Sequence, residues 1–153
     1  MVSKKCLKNI VFEHDGLVWM PMESNMKISK ILCVSHTKDY GGGEKCLKDC
    51  LIALDSSPQF QVVLLTPEGI LSEKMKTEIP VKISKGIGQL DRETNRLWML
   101  ELLLRFITSF FEVLYYGIQQ KPDIIYCMSN TSLFYAVFPG IILRKRIVKY
   151  GFF

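Results

Sequence analysis

The segment Lys30–Glu44, KILCVSHTKDYGGGE, constrains the fold more than any other part of the chain. A short apolar run, Ile31-Leu32-Cys33-Val34, enters a polar loop that closes on Gly41-Gly42-Gly43, and an amphipathic segment begins at Glu44. Strand, glycine turn and helix start follow in the order that doubly wound α/β proteins use to hold phosphate groups. Glycine lets backbone N–H groups approach a ligand with no Cβ in the way. The first amides of a helix have no acceptor inside it, and the dipole there favours an anion. A plain tight turn is the other reading of the three glycines. A helix-start acid stabilised by the dipole is the other reading of Glu44.

Further apolar runs recur along the chain. Beyond the first, Ile28–Ser35, strands are expected at Gln61–Thr66, Val81–Ile83, Asp123–Cys127 and Arg146–Tyr150, several of them opened or closed by proline. They are short, β-branched and nearly continuous in apolar character, which suits strands covered on both faces and so a parallel sheet. Helical patterns fill the gaps. Glu44–Leu54 sets Leu47, Leu51 and Leu54 on one face, Ile70–Lys76 gives a short turn of helix, and Asn130–Leu143 is apolar nearly all round with Asn130 or Thr131 as its N-cap. Alternation of this kind predicts an α/β fold: a Rossmann-like parallel sheet in the order 3-2-1-4-5 with helices on both faces.

The segment Leu97–Ile118 is long and apolar enough to suggest a membrane span. At helical spacing, however, Glu101, Arg105, Thr108, Glu112 and Gln119 fall on one stripe. Central charges cost about 2.5–3.5 kcal/mol each on insertion scales, enough to offset most of the Leu and Phe gain. A mostly buried helix with a wet edge is expected, with a helix lying on a membrane surface as the alternative.

At 153 residues, 48% hydrophobic and 23% charged, the chain has the make-up of one globular domain. Its net charge of +5 is scattered, with tight basic clusters only at Lys4-Lys5 and Arg144-Lys145-Arg146. No aromatic residues interleave with them, so no nucleic-acid partner is expected. A peripheral contact with the inner face of a membrane stays open. The five cysteines, Cys6, Cys33, Cys46, Cys50 and Cys127, are odd in number and include no CxxC pair, a pattern that suits reduced thiols in the cytoplasm. Cys46 and Cys50 share a helix face without the further ligands a zinc site needs. No metal or other cofactor is expected. Residues 1–25 follow no clear period and read as an N-terminal extension or as upstream sequence read from an early start codon, and Asn9, Glu13, His14 and Asp15 interrupt any signal-peptide core. The domain proper is expected over 26–153.

Taken in order, KILCVSHTKDYGGGEKCLKDCLIAL, VVLLTPEG, KPDIIYCMSNT and the apolar helix leading to RIVKY resemble the N-terminal, acceptor-side half of a family 4 glycosyltransferase of the GT-B fold. The resemblance spans about residues 27–150. It implies transfer of a sugar from a nucleotide-sugar donor to a glycan or lipid-linked acceptor, in a cleft between two Rossmann-like domains. It also implies that Gly42, Gly43 and Glu44, with Gly41 beside them, face the donor diphosphate, where backbone amides stabilise developing negative charge. His36, Asn130 and Thr131, at the carboxyl ends of two strands, are candidate acceptor contacts. Capping is the other role for Asn130 and Thr131, and plain solvent exposure the other for His36. Asp39 and Tyr40 lie in reach of a sugar with no spacing to select them, and Asp123 reads as structural.

The chain departs from that family. The Glu-x7-Glu motif and basic pair of the donor domain have no counterpart in these residues, and Lys149-Tyr150-Gly151-Phe152-Phe153 stands where a histidine-containing segment is usual. The expectation is therefore a truncated half, active only when a donor-binding domain completes the cleft. A catalytically inactive remnant or binding module of the same fold is the alternative. A flavodoxin-like nucleotide-binding domain is a weaker third, since neither GxGxxG nor GxxxxGK[ST] is present.

Overall fold

The computed structural model describes residues 28–88 and 98–149. Among these residues nine elements alternate: β1 (Ser29–Val34), α1 (Gly42–Asp55), β2 (Phe60–Pro67), α2 (Ile70–Met75), β3 (Val81–Ser84), α3 (Trp98–Gln120), β4 (Ile124–Cys127), α4 (Asn130–Ile142) and β5 (Arg146–Lys149). The strands form one sheet in the order β3-β2-β1-β4-β5, with every neighbouring pair parallel. Both the order and the parallel pairing agree with the sequence expectation. The N-terminal extension and Tyr150 lie outside the described residues.

β1 is the central strand. Its residues alternate between two cores, as a period of two requires. Leu32 and Val34 join Val63, Leu65, Val113, Ile125 and Tyr135 under α3 and α4. Ile31 and Cys33 join Leu47, Leu51, Val62, Leu64, Leu71 and Met75 under α1 and α2. Burial pushes the Cys33 thiol well above its usual range and Cys127 up to about 12, so both are inert apolar fillers. Side-chain hydrogen bonds set the strand entries. Asp123 Oδ2 accepts from the Lys30 amide at 3.0 Å, and Asp55 Oδ1 accepts from the Val62 amide at 2.9 Å. Asp123 is structural, as its position suggested.

α3 departs from its expected environment. Of its polar stripe, Glu101, Thr108 and Gln119 are exposed as a wet edge, while Glu112 turns to the β3 edge and accepts hydrogen bonds from Ser84 Oγ and from the amides of Lys85 (3.0 Å) and Gly86 (3.1 Å). Gly86 permits that approach, since a Cβ there would collide with the backbone at Thr108 and Ser109. Phe106, Ser109, Val113, Tyr116 and Gly117 face the molecule. The outer stripe, at Leu104, Ile107, Phe111 and Ile118, is exposed, so the helix is not mostly buried. Its apolar surface runs too far round the axis for one sheet face, shared with α4, to cover. Among the described residues no helix is long and apolar enough to cross a membrane.

Candidate functional site

In an open parallel sheet, ligands bind outside the carboxyl ends of the strands where the order reverses. Here that point lies between β1 and β4. The loop after β1 feeds α1 and the turn after β4 feeds α4, so two helix N-termini meet there.

The β1 loop is pinned from below. Ser35 is fully buried, its Oγ lying 3.1 Å from Thr37 Oγ1 and donating to Met128 Sδ at 3.7 Å. Thr66 Oγ1 donates to Thr37 O at 3.3 Å, and the Leu71 amide donates to Lys38 O at 3.1 Å. Gly69 allows this last contact, because a Cβ at that position would lie 2.6 Å from Lys38 O. Lys74 Nζ sits 3.9 Å above the Tyr40 ring, which directs Tyr40 toward α2.

α1 begins at Gly42, two residues earlier than the sequence pattern placed it, so the glycine triplet supplies its cap and first turn. The Gly41 amide donates to Glu44 Oε2 at 3.0 Å, which makes Glu44 a capping side chain at the mouth of the site. Of the three glycines, Gly42 and Gly43 are not demanded by packing. Gly41 has an extended backbone (φ −106°), a Cβ at Gly42 would meet nothing within 4 Å, and one at Gly43 would make an ordinary 3.9 Å contact with Met128. A side chain fits sterically at Gly42 and Gly43, whereas a Cβ at Gly41 would lie 3.1 Å from the capping Glu44 Oε2.

α4 is capped by Ser129, not by Asn130 or Thr131. Ser129 Oγ accepts from the Ser132 amide at 3.1 Å, and Ser132 Oγ accepts from the Ser129 amide at 2.8 Å. A pair of serines three apart satisfies two otherwise unpaired amides reciprocally, an arrangement neither neighbour can form. Sequence reasoning overlooked Ser129. The Ser-x-x-Ser spacing at 129–132 was its only signal, and the usual box carries Glu or Gln at the last place. Asn130 is consequently exposed and Thr131 half-buried at the helix start.

His36 joins the two halves. Its Nδ1 lies 3.0 Å from Ser129 Oγ. Burial lowers its pKa below 6.5, opposed by the Glu44 carboxylate, so the neutral ring is favoured. The structure thus brings His36, Gly41–Glu44, Ser129, Asn130 and Thr131 to one end of the sheet, while Asp39 is exposed on the loop. Chemically the site offers the first-turn amides of α1, a neutral imidazole and a serine hydroxyl. Among the described residues no group of three or more His, Cys, Asp or Glu is placed to hold a metal ion.

No family model and no curated protein matches the chain. Solved structures do. HepE from Anabaena, in complex with UDP and glucose, matches with a TM-score of 0.54 and 23% identity, over 79% of this chain and 29% of that one. MurG from Acinetobacter baumannii matches with a TM-score of 0.56 and 14% identity, over 81% of this chain and 37% of that one. The C-terminal domain of a Pyrococcus furiosus hydrogenase matches with a TM-score of 0.58 and 14% identity, over 85% of this chain and 94% of that domain. The chain therefore spans about a third of the two larger proteins. At these identities the likeness is one of fold, a Rossmann-like domain of the kind found in GT-B proteins.

Proposed function

We propose that this domain is the acceptor-side half of a family 4-like glycosyltransferase, and that it transfers a sugar from a nucleotide-sugar donor once a donor-binding domain or chain completes the cleft. The observation that carries the reading is the pair of helix N-termini meeting at the β1–β4 switch point, where Gly42 and Gly43 leave the backbone bare although a side chain would fit at both. In this reading the amides of Gly42 and Gly43 meet the donor diphosphate as charge develops on it. His36, Asn130 and Thr131 meet the acceptor, and Ser129 holds the imidazole in place. Glu44 has a second effect there. Its carboxylate occupies the Gly41 amide and sets a negative charge beside the anion's place, so diphosphate binding must displace or protonate it.

Titration of the isotope-labelled chain with pyrophosphate tests the site by NMR. The amides of Gly42 and Gly43 are expected to shift, and Glu44→Gln is expected to tighten binding about threefold or more by removing a like charge. Unmoved glycine amides at millimolar pyrophosphate would refute the anion site. The isolated chain is expected to turn over no nucleotide sugar, and turnover by the chain alone would overturn the half-site reading. A non-catalytic binding module is the second reading. The C-terminal domain of the Pyrococcus furiosus hydrogenase, matched over 94% of its length, is an instance of this fold outside the sugar-nucleotide proteins.

A further inference from the structure

We infer that the outer face of α3 and α4 docks on an anionic lipid bilayer surface, with the helices lying along it. The inference stands apart from the sugar-transfer reading and uses none of the residues assigned to the site. Leu104, Ile107, Phe111 and Ile118 recur at helical spacing on α3, and Phe138 and Ile141 continue the surface on α4. These six side chains are between 42% and 64% exposed. The two helices form one surface, because the Phe106 ring packs at the seam, 6.1 Å from that of Phe138 and 4.9 Å from that of Phe134. A contiguous apolar face of this extent marks an interaction site and not ordinary surface.

Charge selects the occupant. The C-termini of α3 and α4 lie side by side, since Leu143 fills the space left by the missing side chain of Gly117. Lys121 follows one helix and Arg144, Lys145 and Arg146 follow the other, so the basic residues gather at one end of the apolar face. The acids of this half are engaged elsewhere. Glu101 pairs with Arg105 at 2.6 Å, Glu112 holds the loop after β3, and Asp123 accepts from the Lys30 amide. Lys121 and Arg144 also end their helices in the left-handed region, at φ 48° and 53°, a place that ordinarily goes to glycine. Positive charge is thus present at positions where the backbone conformation alone favours a different residue. An apolar stripe with a cationic end matches the acyl boundary and headgroups of an anionic bilayer. A second copy of this chain fits less well, because the net charge of +5 repels its like.

Co-sedimentation of the full chain with vesicles tests this. The chain is expected to sediment with vesicles of equal parts phosphatidylglycerol and phosphatidylcholine, and to remain in solution with phosphatidylcholine alone. Leu104→Gln with Phe111→Gln, which leaves charge unchanged, is expected to weaken partitioning about tenfold or more. Lys145→Glu is expected to weaken it by about fivefold or more and to reduce its sensitivity to salt. Both substitutions are outside the buried cores, and an unchanged circular dichroism spectrum confirms the fold in each variant. Absence of vesicle binding, or binding that the double variant leaves intact, would overturn the inference. So would a concentration-dependent dimer that the double variant abolishes, since a second copy would then be the occupant.

Discussion

His36 shows how one side chain links the candidate site to stability. Burial lowers its folded-state pKa below 6.5, with Glu44 acting in the opposite direction. The unfolded chain then binds the proton more readily than the folded one. Stability linked to this residue is complete above the unfolded value and is lost as the pH falls through the window below 6.5 toward the depressed folded value. The urea midpoint is expected to drop between about pH 7.5 and about pH 5.5, and His36→Gln is expected to flatten that drop. An equal drop in the variant would show that other groups carry it. The sequence placed His36 at the end of the first strand but gave no sign of its partner, because Ser129 lies far along the chain and only the β1–β4 pairing brings the two together.

At the scale of elements, legibility followed the range of the forces involved. Each strand was visible from its apolar run, and the β1 loop from its glycines, because those signals are local. α1 starts within the triplet because Glu44 caps from inside the helix, three residues after Gly41, where glycine in place of the usual Ser or Thr hides the capping-box signature. α3 was found as a helix, yet its exposure was misjudged. A stripe of Glu, Arg and Thr reads as a wet edge from sequence alone. Glu101, Thr108 and Gln119 are indeed exposed, but the apolar outer stripe is exposed as well, and tertiary packing turns Glu112 to the loop after β3, where one carboxyl group collects three hydrogen bonds. Glu112→Gln replaces one of its two accepting oxygens by a donor that faces N–H groups. We expect the change to cost about 1–3 kcal/mol, the range for losing hydrogen bonds to a charged group and leaving amides poorly satisfied. Chemical denaturation checks this. A loss below about 0.5 kcal/mol would mean that solvent replaces the carboxylate readily, and that α3 is held by its apolar inner face alone.

For the molecule as a whole, the sheet separates two cores that share its strands β1 and β2. Leu32 and Val34 serve the α3–α4 side while Ile31 and Cys33 serve the α1–α2 side, and β1 is hydrogen-bonded to both β2 and β4. Neither layer can come away without exposing one side of that strand. The two cores should therefore unfold as one unit, as single domains of this size usually do. Leu51→Ala provides the test, because Leu51 is fully buried in the α1–α2 core and touches nothing on the opposite side. The cavity should cost about 2–5 kcal/mol. Native-state hydrogen exchange should then show the slow amides of Leu32–Val34 losing protection by that full amount, and the buried turns of α4 losing the same amount although they lie across the sheet. Faster exchange confined to α1, α2 and β2, with α4 unchanged, would instead make the two layers separate cooperative units. In that case the N-termini of α1 and α4 would belong to different units, and the site between them could open by loosening either layer alone.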